Sequence, residues 1–297
     1  MHTAFIKYGP TVQICKDAVS GTLSKFVDGL KNEVQSITNH TKILTNLATW
    51  PQETHNWLLV FPGTRKYRFP EARVISDYVE ELLVARLMNL DARESYAIYN
   101  ESNSYLALSN LKDRILERVV HSIIPRSRHA IIPMPKTNKT KHYVDLTGVS
   151  YRQFQNLESL SRDFRDGIYW VAEDRKILNA FHSVSIVKDT VYVFQITRYS
   201  KQSIHHTGLK SIRDALPQHL QSVEKWRFVW VVPRCELKAF SEPKTIEDAG
   251  GDTWHLGLRQ FVMPIVDNLD LFQQARARIA RAESRPVKKM RLVASDY

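Results

Sequence analysis

Arg198, Lys201, His205, His206, Lys210 and Arg213 form a basic stretch with Tyr199 set among its cations. Guanidinium and ammonium groups hold phosphate oxygens through charge-assisted hydrogen bonds, so the segment could bind nucleic-acid phosphates with no metal present. The neighbours His205 and His206 make a poor metal pair, because adjacent side chains point apart; solvated or capping roles are expected instead. A second basic series, Arg276, Arg278, Arg281, Arg285, Lys288, Lys289 and Arg291, lies near the C-terminus. Arg285, Lys288, Lys289 and Arg291 read as a nuclear-localisation or phosphate-binding element, with a solvated basic tail as the plain alternative. Trp226 and Trp230 sit in an apolar run, where core packing is expected rather than base stacking.

The charge balance agrees with a polyanionic partner. Against 31 Asp and Glu stand 42 Lys and Arg, a net +11, which favours nucleic acid and less often an anionic membrane surface. No GxxxxGK[ST], Gly-rich dinucleotide loop, HExxH or GxSxG occurs, so several large enzyme classes lose their main support. Cys15 and Cys235 lie far apart without metal-ligand spacing, which argues against a disulfide framework or a structural zinc. The N-terminus lacks the unbroken apolar core of a secretory signal, and no stretch approaches the roughly 18 apolar residues of a membrane span. With 297 residues and 43% apolar content, a substantial folded core is expected.

Positioning these groups requires an α/β scaffold. Apolar spacing from Asp17 to Thr49 predicts two helices with a break at Asn39 to Thr41. Trp57 to Phe61 reads as a strand paired with Tyr67 to Phe69, and Val74, Tyr78, Val79, Leu82, Leu83 and Leu87 mark one apolar helix face while Asp77, Glu80, Glu81 and Arg86 lie on another. Another helix is expected over Ser104 to His121. Three prolines and a basic end make 125–141 a linker or long loop. Beyond it the pattern predicts a helix over Gln153 to Asp163, then strands in GIYWVA, AFHSVSIV and TVYVFQITRY, with Lys188-Asp189 as a hairpin turn. A helix over Thr207 to Val223 and the apolar strand Trp226 to Pro233 follow, the latter buried on both faces. One more strand in LRQFVMPIV and a helix over Asp270 to Ala282 complete the series.

Between Gly167 and Phe240, Leu178-Asn179-Ala180-Phe181-His182-Ser183, Gln195-Ile196-Thr197 and Gly208-Leu209 follow in order. This series resembles the C-terminal nuclease-type domain of Crinkler effectors and the related retrotransposon hot spot proteins. There a strand ends in "f-P-a-i-D-s", the next carries "Q-x-T" or "E-x-K", and "G-L" opens the following helix. Upstream, Ser76-Asp77-Tyr78-Val79-Glu80-Glu81-Leu82 and Ile115-Leu116-Glu117-Arg118-Val119-Val120-His121 resemble phrases at the end of the family's ATPase-like module.

The resemblance implies an α/β protein in which a helical N-terminal module (1–124) and a linker or loop (125–141) precede a restriction-endonuclease-like domain (142–270). That domain has a mixed central sheet flanked by helices, and a basic C-terminal helix and tail (271–297) follows; the Glu117 helix can belong to the nuclease fold. It also implies metal-assisted phosphodiester hydrolysis, in which carboxylates hold Mg²⁺ or Mn²⁺ beside the scissile phosphate. Glu117, His182, Gln195 and Thr197 are the residues at the catalytic positions, and Glu117 and His182 those that would bind metal. His182 replaces the family's aspartate, Gln195 offers an amide oxygen, Thr197 stands where a lysine would, and the family's later histidine falls on Gln202. Imidazole suits Mn²⁺ or Zn²⁺ better than Mg²⁺. Asp174 or Asp189 could rescue a metal site in another register. The expectation is a catalytically degenerate nucleic-acid binder, DNA favoured, in an effector or mobile-element setting and acting in the nucleus, a host nucleus if the protein is secreted. An active metal-dependent nuclease and an interaction module acting on a host or cellular protein are the alternatives.

Overall fold

The computed structural model describes residues 8, 12–39, 41, 58–61, 71–74, 76–101, 109–135, 142–172, 181–247, 251 and 253–283. Its N-terminal part contains α1 (Val12–Ser20), α2 (Leu23–Gln35), the strands β1 (Leu58–Phe61) and β2 (Glu71–Val74), then α3 (Asp77–Asn89), α4 (Ala92–Glu101) and α5 (Ser109–Ile123). The first helical break falls at Gly21, whose φ of 75° only glycine adopts readily, and a second follows where α2 ends at Gln35 and residues 36–39 are non-helical, beside the break expected at Asn39 to Thr41. β1 pairs antiparallel with β2, Leu58 opposite Val74, whereas Tyr67 to Phe69 lies outside the described residues. Ser76 then starts α3, its Oγ accepting the Val79 N–H at 3.4 Å. Glu80, expected on the polar face, is buried, because Arg114 on α5 donates to it at 2.5 Å and also pairs with Glu81. Helix α4 had no counterpart among the sequence expectations.

The rest of the chain builds the sheet. Its elements are β3 (Arg128–Met134), β4 (His142–Asp145), β5 (Ser150–Phe154), α6 (Leu157–Asp163), β6 (Ile168–Ala172), β7 (Ser183–Val187), β8 (Thr190–Ile196), β9 (Ile204–His205), α7 (His206–Ala215), β10 (Trp226–Pro233), β11 (Ile246–Glu247), β12 (Arg259–Ile265) and α8 (Leu269–Glu283). Eight strands pair in the order β4-β3-β12-β10-β8-β7-β6-β5, and β9 pairs separately with β11. β6, β7 and β8 form an antiparallel meander, and β10 lies parallel to both β8 and β12. The architecture is thus mixed α/β around a large sheet.

Three expectations change here. The stretch 125–141, read as a linker, contributes the inner strand β3 between β4 and β12. Its prolines masked the apolar run Ile131, Ile132 and Met134, of which Ile131 and Met134 are buried. Gln153 belongs to β5, and the helix begins only after Asn156, whose Oδ1 accepts the Ser159 N–H at 2.8 Å in a capping box. α7 also ends earlier than expected, at Ala215, because Pro217 cannot continue it.

Alternation along the strands sends side chains into two cores. On one face Phe194, Ile196, Val229 and Val231 pack with Leu83 and Leu87 of α3, Ile115 and Val119 of α5, and Phe272 and Ala275 of α8. On the other, Val193, Phe228, Trp230 and Val232 pack with Leu160 of α6 and with Leu209 and Ile212 of α7. The N-terminal helices therefore share a core with the sheet. Among the described residues, no helix is long and apolar enough to cross a membrane.

The β7–β8 hairpin turns on Lys188 and Asp189, with φ of 47° and 58°, the left-handed pair of a type I′ turn. Neither residue favours that region as Asn-Gly does. Lys188→Asn with Asp189→Gly is expected to raise stability by about 1 kcal/mol. The check is the urea midpoint, which should rise with no change in m-value. A lower midpoint would contradict the strain assigned to this turn.

Candidate functional site

A polar cleft of about 440 Å³ opens where α5 crosses the start of β7 and the end of β8. Asp113 and Glu117, one helical turn apart on α5, line it with His182, Gln195, Thr197, Tyr199, Lys201 and Gln202. Four residues that the sequence placed together, Glu117, His182, Gln195 and Thr197, thus meet at one surface. Sheet pairing sets their positions. The His182 N–H donates to Phe194 O at 2.9 Å, and the Thr197 N–H donates to Val231 O at 3.0 Å, which ties the segments flanking β7 and β8 to the sheet. Thr197 Oγ1 then accepts the Tyr199 N–H at 3.0 Å, turning the chain away from the strand so that Tyr199 and Lys201 emerge on the surface.

His182 Nδ1 accepts the Ile196 N–H at 2.9 Å. In the neutral ring that bond places the hydrogen on Nε2, which becomes a donor and cannot ligate a metal while protonated. Gln195 is 4% exposed, and its buried Oε1 meets no donor among the described residues, which leaves an amide oxygen available as an acceptor. Asp113 approaches Arg198 Nη1 at 3.7 Å. The Tyr199 phenol is pushed above its usual range by burial and by the nearby Asp113 carboxylate.

Behind Glu117 runs a buried polar chain. Ser183 Oγ donates to the Tyr169 hydroxyl at 2.6 Å, that hydroxyl lies 2.9 Å from His121 Nδ1, and His121 Nε2 lies 3.4 Å from Glu117 Oε1. Because Tyr169 accepts from Ser183, its own hydrogen is available for Nδ1, which places the imidazole hydrogen toward Glu117. Burial pushes His121 down to about 3, with the Arg118 charge acting in the same direction. The ring is therefore neutral at ordinary pH.

Little of the basic stretch reaches the cleft. Lys201 lines it, while Arg198 is drawn to Asp113. Lys210 and Arg213 both pair with Asp214, at 2.5 and 3.1 Å, and Arg213 also lies over the Trp254 ring. His205 belongs to β9 opposite Glu247, and His206 is buried with its ring edge toward His255. Arg285, Lys288, Lys289, Arg291 and Asp174 lie outside the described residues. Asp189 sits in the exposed β7–β8 turn, at the other end of those strands from His182 and Gln195. Asp113 and Tyr169 were missed by sequence reasoning, and His121 entered it only as the last residue of the phrase that carries Glu117. Asp113 had a local signal, its position four residues before Glu117; the others became polar partners only through burial.

A divalent-metal centre does not fit this donor set. Among the described residues, no three His, Cys, Asp or Glu side chains come together as possible ligands. The strand positions offer a protonated nitrogen and an amide, and the two carboxylates come from one helix, directed to His121 and Arg198. Mg²⁺ prefers several hard oxygens in near-octahedral geometry. No family model matches the sequence, and no match was found among curated proteins or solved structures.

Proposed function

We propose that the protein binds nucleic acid through a restriction-endonuclease-like core that has lost its catalytic metal centre. The observation that carries this reading is the convergence of Glu117, His182, Gln195 and Thr197 in one cleft with Lys201, without a metal-ligand set among the described residues. The order α5, then the β6-β7-β8 meander, then α7 and a strand parallel to β8 supports the nuclease-type ancestry. A net charge of +11 supports a polyanionic partner, and the resemblance to Crinkler-type and mobile-element proteins supports an effector or element-encoded role in the nucleus.

Fluorescence anisotropy with labelled DNA and RNA, titrated across salt concentrations, tests the reading. Affinity should fall linearly on a log-log plot, and Lys201→Gln should reduce the slope by about 0.7 to 0.9. Plasmid and RNA incubated with Mg²⁺ or Mn²⁺ should stay intact. Cleavage that disappears in Glu117→Ala would instead establish the active nuclease. Binding that ignores salt, or no binding at all, would favour a protein-interaction module.

A further inference from the structure

A second cavity, of about 200 Å³, lies on the other side of Glu117 from the cleft and is lined by Arg118, His121, Arg126, Tyr151, Gln153 and Arg278 among others. A small cavity of about 70 Å³ joins the two regions: it shares Glu117 with the cleft and Arg118, His121, Tyr151 and Gln153 with the arginine-lined cavity. The cleft, the small cavity and the arginine cavity therefore follow one another along α5.

Among the described residues lining the arginine end there is no carboxylate. Arg278 reaches in from α8 and donates to the Ile123 and Pro125 carbonyls at 2.8 and 3.1 Å and to Ser127 Oγ at 3.0 Å. Those carbonyls satisfy its hydrogen bonds at the end of α5 but offset only part of its charge. Arg118 and Arg126 are exposed and make no ion pair among the described residues. The like charges of Arg126 and Arg281, after burial, hold the Arg278 guanidinium below its usual range. Glu117 and Glu81 line the joining cavity, where Glu81 is already paired with Arg114. His121, on the shared wall, is neutral and adds no charge. Tyr151, 36% exposed, presents part of its ring beside the guanidinium groups.

Cations with no carboxylate among the described residues around the cavity, beside a partly exposed aromatic ring, have the chemistry of a phosphate site for a flexible strand. In a duplex the bases are paired and stacked on one another, whereas a single strand can place a phosphate there and a base against the ring. We propose that the cavity of Arg118, Arg126, Arg278 and Tyr151 is a phosphate subsite for single-stranded nucleic acid, whose neighbouring nucleotides follow α5 toward the Glu117 cleft. The nucleic-acid source of the phosphate rests on the binding reading above; the anion site itself does not.

The test uses the full chain and Arg118→Gln with Arg126→Gln, which leaves Arg278 to hold the end of α5. Anisotropy would compare a short labelled single strand with a duplex of the same length, and calorimetry would follow inorganic phosphate. The wild type should prefer the single strand by tenfold or more. The double substitution should weaken strand binding about tenfold near 0.1 M salt and reduce the log-log salt slope by about 1.4. Unchanged melting would show that the fold is intact. If the wild type binds the strand and the variant matches it in affinity and slope, the subsite is refuted while the binding reading stands. If no nucleic acid binds but phosphate does, and the variant loses it, the binding reading falls and the anion site survives. A phosphate response equal in both proteins, or absent from both, overturns the anion site.

Discussion

Replacing Trp230 by alanine is expected to lower unfolding free energy by about 3 to 5 kcal/mol, a large share of a typical domain's stability. Trp230 is 0% exposed at the middle of β10 and packs against Phe228 and Phe240 at ring separations of 4.9 and 5.8 Å. Its Nε1 donates to Gln260 Oε1 at 3.1 Å; that amide also accepts the Lys244 N–H and donates to the Lys244 carbonyl. Alanine removes the ring volume and one member of a buried polar clamp, and the parallel strands on either side limit how far the cavity can collapse. Because Trp230 pairs with Gln195 across β10 and β8, the damage should also loosen the strand end that forms the cleft. Urea unfolding gives the comparison. Trp230→Phe, which keeps most of the volume, should cost clearly less. A loss below about 1 kcal/mol for alanine would refute the central packing role assigned to this ring.

Acid should produce the second large effect. His121, fully enclosed, stays neutral down to about pH 3 in the folded protein, whereas an unfolded imidazole takes its proton near the ordinary value of 6.5. Between those pH values the unfolded chain binds the extra proton, so stability rises with pH and is lost as pH falls below 6.5. The slope from this group is about 1.4 kcal/mol per pH unit, which amounts to roughly 2 kcal/mol at pH 5. Above pH 7 the contribution is flat. The groups facing His121 are Glu117, Arg118 and Tyr169, with the His182 ring 6.4 Å away. Comparing wild type with His121→Gln by urea unfolding from pH 7.5 to 5 isolates the effect, since the other acids titrate in both proteins. The variant should show a dependence shallower by about one proton; equal slopes would mean that His121 is already charged in the fold.

Much of the sheet was legible because its strands carry local signals. IYWVA, SVSIV, TVYVFQI, WRFVWVVP and RQFVMPI all fall within strands, where β-branched and aromatic residues fit a buried pleat. β3 was hidden because its prolines looked like linker punctuation, although the strand meets β12 with Pro133 opposite Phe261. Glu80 looked solvent-facing because the partner that allows its burial, Arg114, lies on another helix.

The functional residues divide along the same line. By itself, the sequence determined the basic balance, the strand order from Gly167 to Phe240, and the residue types at Glu117, His182, Gln195 and Thr197, since these depend on composition and short-range pattern. Only the tertiary structure decided that those four meet in one cleft, that the Ile196 N–H places the His182 hydrogen on the wrong nitrogen for a metal, and that Asp214 engages Lys210 and Arg213. It also brought Arg278 from a distant part of the chain to Arg118 and Arg126. Periodicity records which face of an element is buried; which charge meets which is set by the packing of elements far apart in sequence.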